Sequence, residues 1–249
     1  MASRSALVVL GLGLLGLAGP GATPVAASPT PAPPARIVVL DAGHGGSNAG
    51  AKGPVLVEKQ LTLMLANQVA ARLRERRITV HLTRTDDRTL TLRQRVATAD
   101  RLRADLFVSI HANASLARSQ RGYETFVLTP RGVDVDGRAL RSNLTTPRPL
   151  VDPDVSLILD DVERGASQWE AADLAARMQR ALRERRGASG DRGVRQDAHH
   201  VLLGATMPAV LVEVGFIDHP IEGKQLATPE VQGLVADALA EAILEQLAE

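Results

Sequence analysis

Residues 37–46 read IVVLDAGHGG, an apolar run that leads directly into a histidine among glycines. Ile37 to Leu40 have the length and residue types of a buried strand, and Asp41-Ala42-Gly43 ends that run just before His44. Glycines on both sides of an imidazole let the backbone and a ligand approach closely. The stretch therefore predicts a histidine that is presented at a strand end.

Strand-like and helix-like segments alternate from this stretch to the end of the chain. We predict strands at 37–40, 79–83, 106–110, 122–128, 200–203 and 209–214, helices at 58–76, 90–103, 167–185 and 229–247, and a flexible turn at 187–193. This alternation predicts a single α/β domain with a central, mostly parallel, twisted sheet flanked by helices on both faces. Trp169, Leu174, Met178 and Leu182 are the predicted core contacts of the third helix.

Composition excludes several function classes. The chain has 249 residues, and 45% of them are hydrophobic, which is enough for one sizeable core. Aromatic residues make up only 2% and the net charge is +1, so neither stacking platforms nor a basic surface for nucleic acid is expected. The chain has no cysteine, which excludes disulfides and thiolate ligands.

The N-terminus has the pattern of a secretory signal peptide. Arg4 precedes an apolar stretch at 6–18, and small residues follow up to Ala27, so we predict a signal peptide over 1–27. A proline-rich linker over 28–35 then leads into a domain over 36–249. We expect an exported protein of the periplasm or cell wall; the alternative, an uncleaved N-terminal anchor, is the one case in which it would contact a membrane.

Four residues carry the expected chemistry. His44 follows the first strand, Glu58 opens the first helix in VEKQL, His111 ends a strand in SIHAN, and Glu213 lies in LVEVG. Parallel strands bring their carboxyl ends to one edge of a sheet, so these groups can converge. Two histidines and one carboxylate suit an open zinc site. From the residues alone, a strand-end histidine is more often structural, and Glu213 could equally face solvent or an arginine.

The joint pattern of motifs resembles the zinc-dependent N-acetylmuramoyl-L-alanine amidases of the amidase type 3 family. The motifs are IVVLDAGHGG, LVEKQL, LTRTDD, SIHAN, GYETFVL and MPAVLVEVGFIDH, and the resemblance covers nearly all of Arg36 to Leu247. It implies that His44, Glu58 and His111 ligate one Zn²⁺ ion and that Glu213 is the catalytic residue. All of these residues are present, so the resemblance implies an active enzyme.

Asp41 and Asn113 are weaker candidates. Asp41 could accept a hydrogen bond from His44 and orient it, although an aspartate at a strand end also suits a turn. Asn113 could contact substrate or cap the loop after His111. Arg84, Asp86, Asp87 and Arg95 match the family's R-T-D-D and L-x-x-R elements, and we interpret them as a structural charge network.

Residues 129–165 interrupt the alternating pattern and form a candidate insertion. Some cell-division members of the resembled family carry an inserted helix that blocks the zinc until an activator protein displaces it. VSLILDDV at 155–162, with Glu163, is the candidate for such a regulatory helix here. The competing interpretation is a surface excursion packed through Leu157 and Leu159.

The expected function is hydrolysis of peptidoglycan at the amide between N-acetylmuramic acid and the L-alanine of the stem peptide. Two alternatives remain open at the level of sequence. The same site could belong to a zinc peptidase that cuts within the stem peptide, or the fold could serve as a non-catalytic cell-wall-binding module.

Overall fold

Strands and helices alternate along the chain, and the strands form one sheet. The computed structural model describes residues 35–128, 153–197 and 200–248, and for 153–164 and residue 200 the backbone alone. The elements in chain order are β1 (Ile37–Ala42), α1 (Glu58–Glu75), β2 (Thr79–Leu82), α2 (Leu92–Leu102), β3 (Leu106–Asn113), β4 (Tyr123–Leu128), α3 (Pro153–Arg186), β5 (Asp191–Asp197), β6 (Ala209–Phe216), α4 (Glu222–Leu226) and α5 (Pro229–Leu247). Among the described residues the sheet order is β2-β1-β3-β6-β4-β5.

The sheet is mostly parallel, as predicted. β1 pairs in parallel with β2 and β3, β3 with β6, and β4 with β5, whereas β4 and β6 are antiparallel. Because β4 runs against β6, its first residues lie at the same edge as the carboxyl ends of β1, β3 and β6. That edge is where the predicted site residues fall.

Helices cover both faces of the sheet, but unequally. α1, α3 and α5 pack together on one face, with Leu61, Leu174 and Leu239 fully buried in that core. The other face carries α2 and a 3₁₀ helix at His200–Leu202, which pack around Phe107 and Val39. Since β1 and β3 are covered on both faces, they read as continuous apolar runs in the sequence.

The α5 helix has the bounds that the sequence predicts. The Thr228 hydroxyl accepts a hydrogen bond from the Val231 amide, and Pro229 occupies the first turn, where no amide donor is needed. The N-terminal boundary of α5 is therefore marked in the sequence by a capping residue and a proline.

The α3 helix corrects the prediction of a helix that begins near Ser167. It starts at Pro153 and runs without a break to Arg186, so VSLILDDV and Glu163 lie within it. Gly165 weakens a helix by about 1 kcal/mol relative to alanine but does not end it. Residues 129–152 and the Glu163 side chain lie outside the described structure, so the regulatory role stays a prediction.

Trp169 is not the core contact that we expected, since it is 81% exposed. The buried stripe of α3 runs through Leu174, Met178 and Leu182. Trp169 precedes Leu174 by five residues, which at about 100° per residue places it roughly 140° around the helix from that stripe.

Two short segments were also assigned wrongly from sequence. The predicted turn at 187–193 contains a 3₁₀ helix at Ala188–Gly190 and the start of β5, an edge strand whose polar sequence, DRGVRQD, lacks apolar alternation. The predicted strand at 200–203 is instead the 3₁₀ helix at His200–Leu202, with Val201 and Leu202 buried. In such short apolar runs, hydrophobic periodicity alone does not distinguish a strand from a helical turn.

The predicted signal peptide, 1–27, and most of the linker, 28–35, lie outside the described residues. The described residues all belong to one compact unit. None of the helices in this part of the chain has both the length and the apolar content needed to cross a membrane.

Candidate metal centre and active site

The carboxyl ends of β1, β3 and β6 bring the predicted site residues to one edge of the sheet. His44 follows β1, His111 lies in β3, and Glu213 of β6 is aligned directly with His111. Glu58 is the first residue of α1, and a carboxylate is favoured there by the positive end of the helix dipole. Residues that are far apart in the sequence thus meet because the strands are parallel.

The His44, Glu58 and His111 side chains converge on one point. Glu58 Oε1 lies 2.9 Å from His44 Nε2 and 3.0 Å from His111 Nδ1. One potential ligand atom from each residue lies within 4.8 Å of the others, so this trio of the described residues could hold a metal ion. Two imidazole nitrogens and a carboxylate oxygen form a set that could hold a divalent metal ion.

The carboxylate of Glu58 is held on both oxygens. Oε2 accepts a hydrogen bond from the Ala51 amide at 2.8 Å, and Oε1 accepts one from the Ala112 amide at 3.1 Å. Burial alone would raise the pKa of Glu58, but hydrogen bonds from His111 and His44 outweigh burial and hold that pKa well below its usual range. Glu58 is therefore an ionised carboxylate that is held in a fixed orientation.

Asn48 orients the His44 ring. Asn48 Oδ1 accepts the Gly50 amide at 3.1 Å and lies 3.0 Å from His44 Nδ1. Since that oxygen only accepts, His44 Nδ1 carries the hydrogen and donates it, which leaves the Nε2 lone pair for a metal. The sequence prediction missed Asn48; its signal was an amide residue four positions after the histidine in a glycine-rich loop.

Two glycines make room for the ligand side chains. A Cβ on Gly43 would lie 2.4–2.7 Å from three atoms of the His111 ring. A Cβ on Gly50, which has a φ of +68°, would lie 2.5 Å from Glu58 Oε2. These two glycines therefore allow the His111 and Glu58 side chains to pack directly against the loop backbone.

Buried guanidinium groups hold the backbone that carries His44. Arg84 donates to the Ala42 and Gly43 carbonyls at 2.9 and 2.8 Å. Arg95 donates to the His44 carbonyl at 2.7 Å. Of the predicted charge network, Arg84 and Arg95 thus support the loop in which His44 has a left-handed φ of +59°. The exposed side chains of Asp86 and Asp87 pair with Arg88 and Lys59 instead.

Asp41 does not play the predicted role of acceptor for the His44 ring. Its fully buried carboxylate accepts from Thr83 Oγ1 at 2.5 Å, Ser109 Oγ at 2.7 Å and Arg95 Nη1 at 2.8 Å. The β1 pleat points Asp41 at the α2 face of the sheet, whereas His44 lies beyond the strand end. Arg95 links Asp41 to the His44 carbonyl.

Asn113 supports a neighbouring carboxylate and caps its own loop. Its Nδ2 donates to Glu124 Oε1 at 2.7 Å, and its Oδ1 accepts the Ala114 amide at 2.9 Å. Glu124 is the residue aligned with Glu213 on β4, and the sequence prediction missed it because GYETFVL reads only as an alternating strand.

Glu213 differs from the other carboxylates of the site in having an unpartnered oxygen. Its Oε2 is buried and has no hydrogen-bond partner among the described residues. Burial raises the pKa of Glu213 well above its ordinary value, and the negative charges of Glu58 and Glu124 raise it further. Such a group suits proton transfer beside the candidate metal ligands.

Comparison with known proteins identifies the family. The family model for N-acetylmuramoyl-L-alanine amidase matches residues 38–245. The chain belongs to this amidase family.

Individual amidases and a related protein extend the match over most of the chain. The amidase AmiA of Escherichia coli K12 is 32% identical over 84% of this chain and 75% of its own length. The Bacillus subtilis protein YqiI is 33% identical over 84% of this chain and 83% of its own length. The catalytic domain of CwlV from Bacillus (Paenibacillus) polymyxa var. colistinus aligns with a TM-score of 0.66 and 32% identity, covering 86% of this chain and 98% of that domain.

Replacing Gly43 with alanine is expected to weaken metal binding. The added Cβ would collide with the His111 ring, which must then move away from Glu58. We expect the affinity for a divalent metal to fall about 10- to 100-fold, a loss typical of a disturbed ligand support. Competition with a chromophoric chelator measures it.

Gly165→Ala is the matched control, because nothing lies within 4 Å of a Cβ at that helical position. Its metal affinity should equal that of the wild type. An unchanged affinity in Gly43→Ala would contradict the steric argument.

Replacing Glu213 with glutamine is expected to stabilise the metal-free protein increasingly as the pH rises. Below the ordinary glutamate pKa of 4.5, Glu213 is protonated in both states. Above that pH the unfolded chain releases the proton first, so the wild type loses stability until the raised folded-state pKa is reached. Glutamine avoids this loss, and we expect a gain of about 1–3 kcal/mol at pH 8 and almost none at pH 4.

Urea unfolding of chelator-treated protein at both pH values provides the measurement. Glu75→Gln, a change at an exposed glutamate, is the control. Its free energy of unfolding should differ from that of the wild type by the same amount at both pH values. If Glu213→Gln changed the free energy of unfolding equally at both pH values, the Glu213 carboxyl would not be the source of the stability loss at high pH.

Proposed function

We propose that this protein is a peptidoglycan hydrolase that cleaves the amide between N-acetylmuramic acid and the L-alanine of the stem peptide, with one Zn²⁺ as cofactor. The observation that carries the proposal is the convergence of His44, Glu58 and His111 beside the unpartnered Oε2 of Glu213. Membership of the N-acetylmuramoyl-L-alanine amidase family and the names of its relatives support the substrate.

The residues present fit zinc. A tetrahedral zinc centre with ligands about 2.0–2.1 Å from the metal has neighbouring ligand atoms about 3.3 Å apart. The 2.9 and 3.0 Å separations between Glu58 Oε1 and the two imidazole nitrogens need only a few tenths of an ångström of opening. Three protein ligands leave a position for water or substrate, as in catalytic sites.

Amide hydrolysis needs an activated water, a polarised carbonyl and a proton for the departing nitrogen. When bound, zinc polarises the carbonyl and lowers the pKa of the attacking water. Glu213 accepts a proton from that water on its carboxylate and passes it to the amide nitrogen. Burial raises the pKa of Glu213, which makes its carboxylate a stronger proton acceptor than an exposed glutamate in the first half of this transfer.

Replacing Glu213 with glutamine should abolish most turnover while metal binding persists. Glutamine keeps the shape of the side chain but accepts no proton, so kcat should fall about 10²- to 10⁴-fold. Mass spectrometry of the products from purified muropeptides measures the reaction. An amidase releases the intact stem peptide with a free L-alanine amino group.

Other outcomes select other functions. Products cut within the stem would identify a zinc peptidase, and binding without any cleavage would identify a wall-binding module. Chelation should remove activity and Zn²⁺ should restore it. Glu75→Gln is the control that should retain wild-type turnover.

We further infer that the protein is exported to the periplasm or cell wall. The sequence at 4–27 supports this, since it has a positive residue, an apolar core and Ala26-Ala27 before the expected cleavage point. Intact-mass measurement of protein from the envelope fraction should show a chain that begins at Ser28. Ala27→Leu should block cleavage, and a wild-type envelope protein that keeps Met1 would favour the anchor.

A further inference from the structure

Two arginines of β5 converge on one buried carboxylate beside the site. Glu124 is 3% exposed, and its Oε2 lies 3.1 Å from Arg192 Nε and 2.5 Å from Arg195 Nε. Asn113 holds the other oxygen of the same carboxylate. Two positive charges thus meet one negative charge, which leaves a net positive charge on this arginine pair.

The arginine pair depends on an extra residue in β5. Tyr123 is aligned with Asp191 and Thr125 with Val194, so three steps along β5 correspond to two steps along β4. Gly193, with a φ of +80°, lies within this bulge. Without the bulge, residues three apart would point to opposite faces; with it, Arg192 and Arg195 both reach Glu124.

The arginine pair continues the row of site residues across the sheet. His111 is aligned with Glu213, and Glu213 with Glu124, so these side chains share one face. Arg192 also stacks over the Phe216 ring at 4.9 Å. Adjacent strands are about 4.8 Å apart, so the β5 backbone at the pair lies roughly 10 Å from the β6 backbone at Glu213, about three residues of extended peptide.

The pair is accessible although Glu124 is not. The Arg192 side chain is 28% exposed and that of Arg195 is 48% exposed. Each pairs with Glu124 through Nε, and Glu124 thereby fixes the direction of both guanidinium groups. A pre-oriented guanidinium fork is suited to a second, incoming carboxylate.

We propose that Arg192 and Arg195 form a subsite for a free carboxylate of the stem peptide, two to four residues beyond the cleaved amide. This inference rests on the proposed function, since it takes Glu213 as the point of cleavage. The pair acts on substrate affinity and leaves the chemical step to the residues at the metal.

Paired substrates test the subsite. N-acetylmuramoyl tripeptides are compared that differ only in whether the carboxylates of the second and third residues are free or amidated. For the wild type we expect kcat/KM to be about tenfold to 100-fold higher with free carboxylates, mainly through KM. Arg195→Gln should lose most of this preference by weakening only the free-carboxylate substrate, and Arg195→Lys should restore part of it.

Arg76→Gln is the matched control, an exposed arginine at the C-terminal end of α1 and so at the opposite edge of the sheet. It should keep the wild-type preference. An equal loss on both substrates in Arg195→Gln, or a wild type without preference, overturns the subsite. Inorganic phosphate that competes as well as a peptide carboxylate would assign the pair to a phosphate-bearing polymer instead, which also overturns it.

A binding measurement separates this inference from the proposed function. Calorimetry of the metal-free protein with the free-carboxylate and amidated tripeptides needs no hydrolysis. A preference for the free carboxylate that Arg195→Gln removes supports the subsite even if the bond that the enzyme cleaves proves to be another one. Equal binding of both peptides counts against it.

Discussion

The arrangement of the site depends on buried guanidinium groups that hold the backbone after β1. Arg84 and Arg95 bind the successive carbonyls of Ala42, Gly43 and His44, which a strand end would otherwise leave without partners. The burial of these charges is offset because Asp41 and several carbonyls accept from them. These hydrogen bonds hold the loop in place. The His44 ring therefore points at the Glu58 carboxylate, although the backbone of His44 is left-handed.

Three carboxyl groups lie between the imidazoles and the arginine pair in the row that starts at this loop. The imidazoles surround Glu58, Glu213 follows on the next strand, and Glu124 then meets the arginine pair. Glu58 and Glu124 each have several donors, whereas the Oε2 of Glu213 has none within the described residues. Burial and the nearby charges of Glu58 and Glu124 raise the pKa of Glu213, so the fold places a carboxyl with increased proton affinity where the proposed reaction needs one.

Much of the fold was predictable because its signals are local. The strands β1 and β3 are buried on both faces and read as apolar runs, and Thr228 and Pro229 mark the start of α5. The failures occur where local signals are weak. Gly165 did not end α3, Trp169 lies off the buried stripe, and β5 is a polar edge strand that is recognisable only through its pairing with β4. Asn48 and Glu124 were missed because their roles lie in contacts with distant residues.

The sequence by itself determined the class of fold and the four residues of the predicted site, since strand periodicity and strand-end placement are local properties and the motifs carry the resemblance. Only the tertiary structure decided how those residues are held. It showed that Asn48 orients the His44 ring and that Asp41 binds Arg95 and not His44. It also showed that one oxygen of Glu213 has no hydrogen-bond partner among the described residues. It also brought Arg192 and Arg195 to one face, because the direction of a side chain depends on a bulge and on strand register, and register is set by the pairing of residues far apart in the chain.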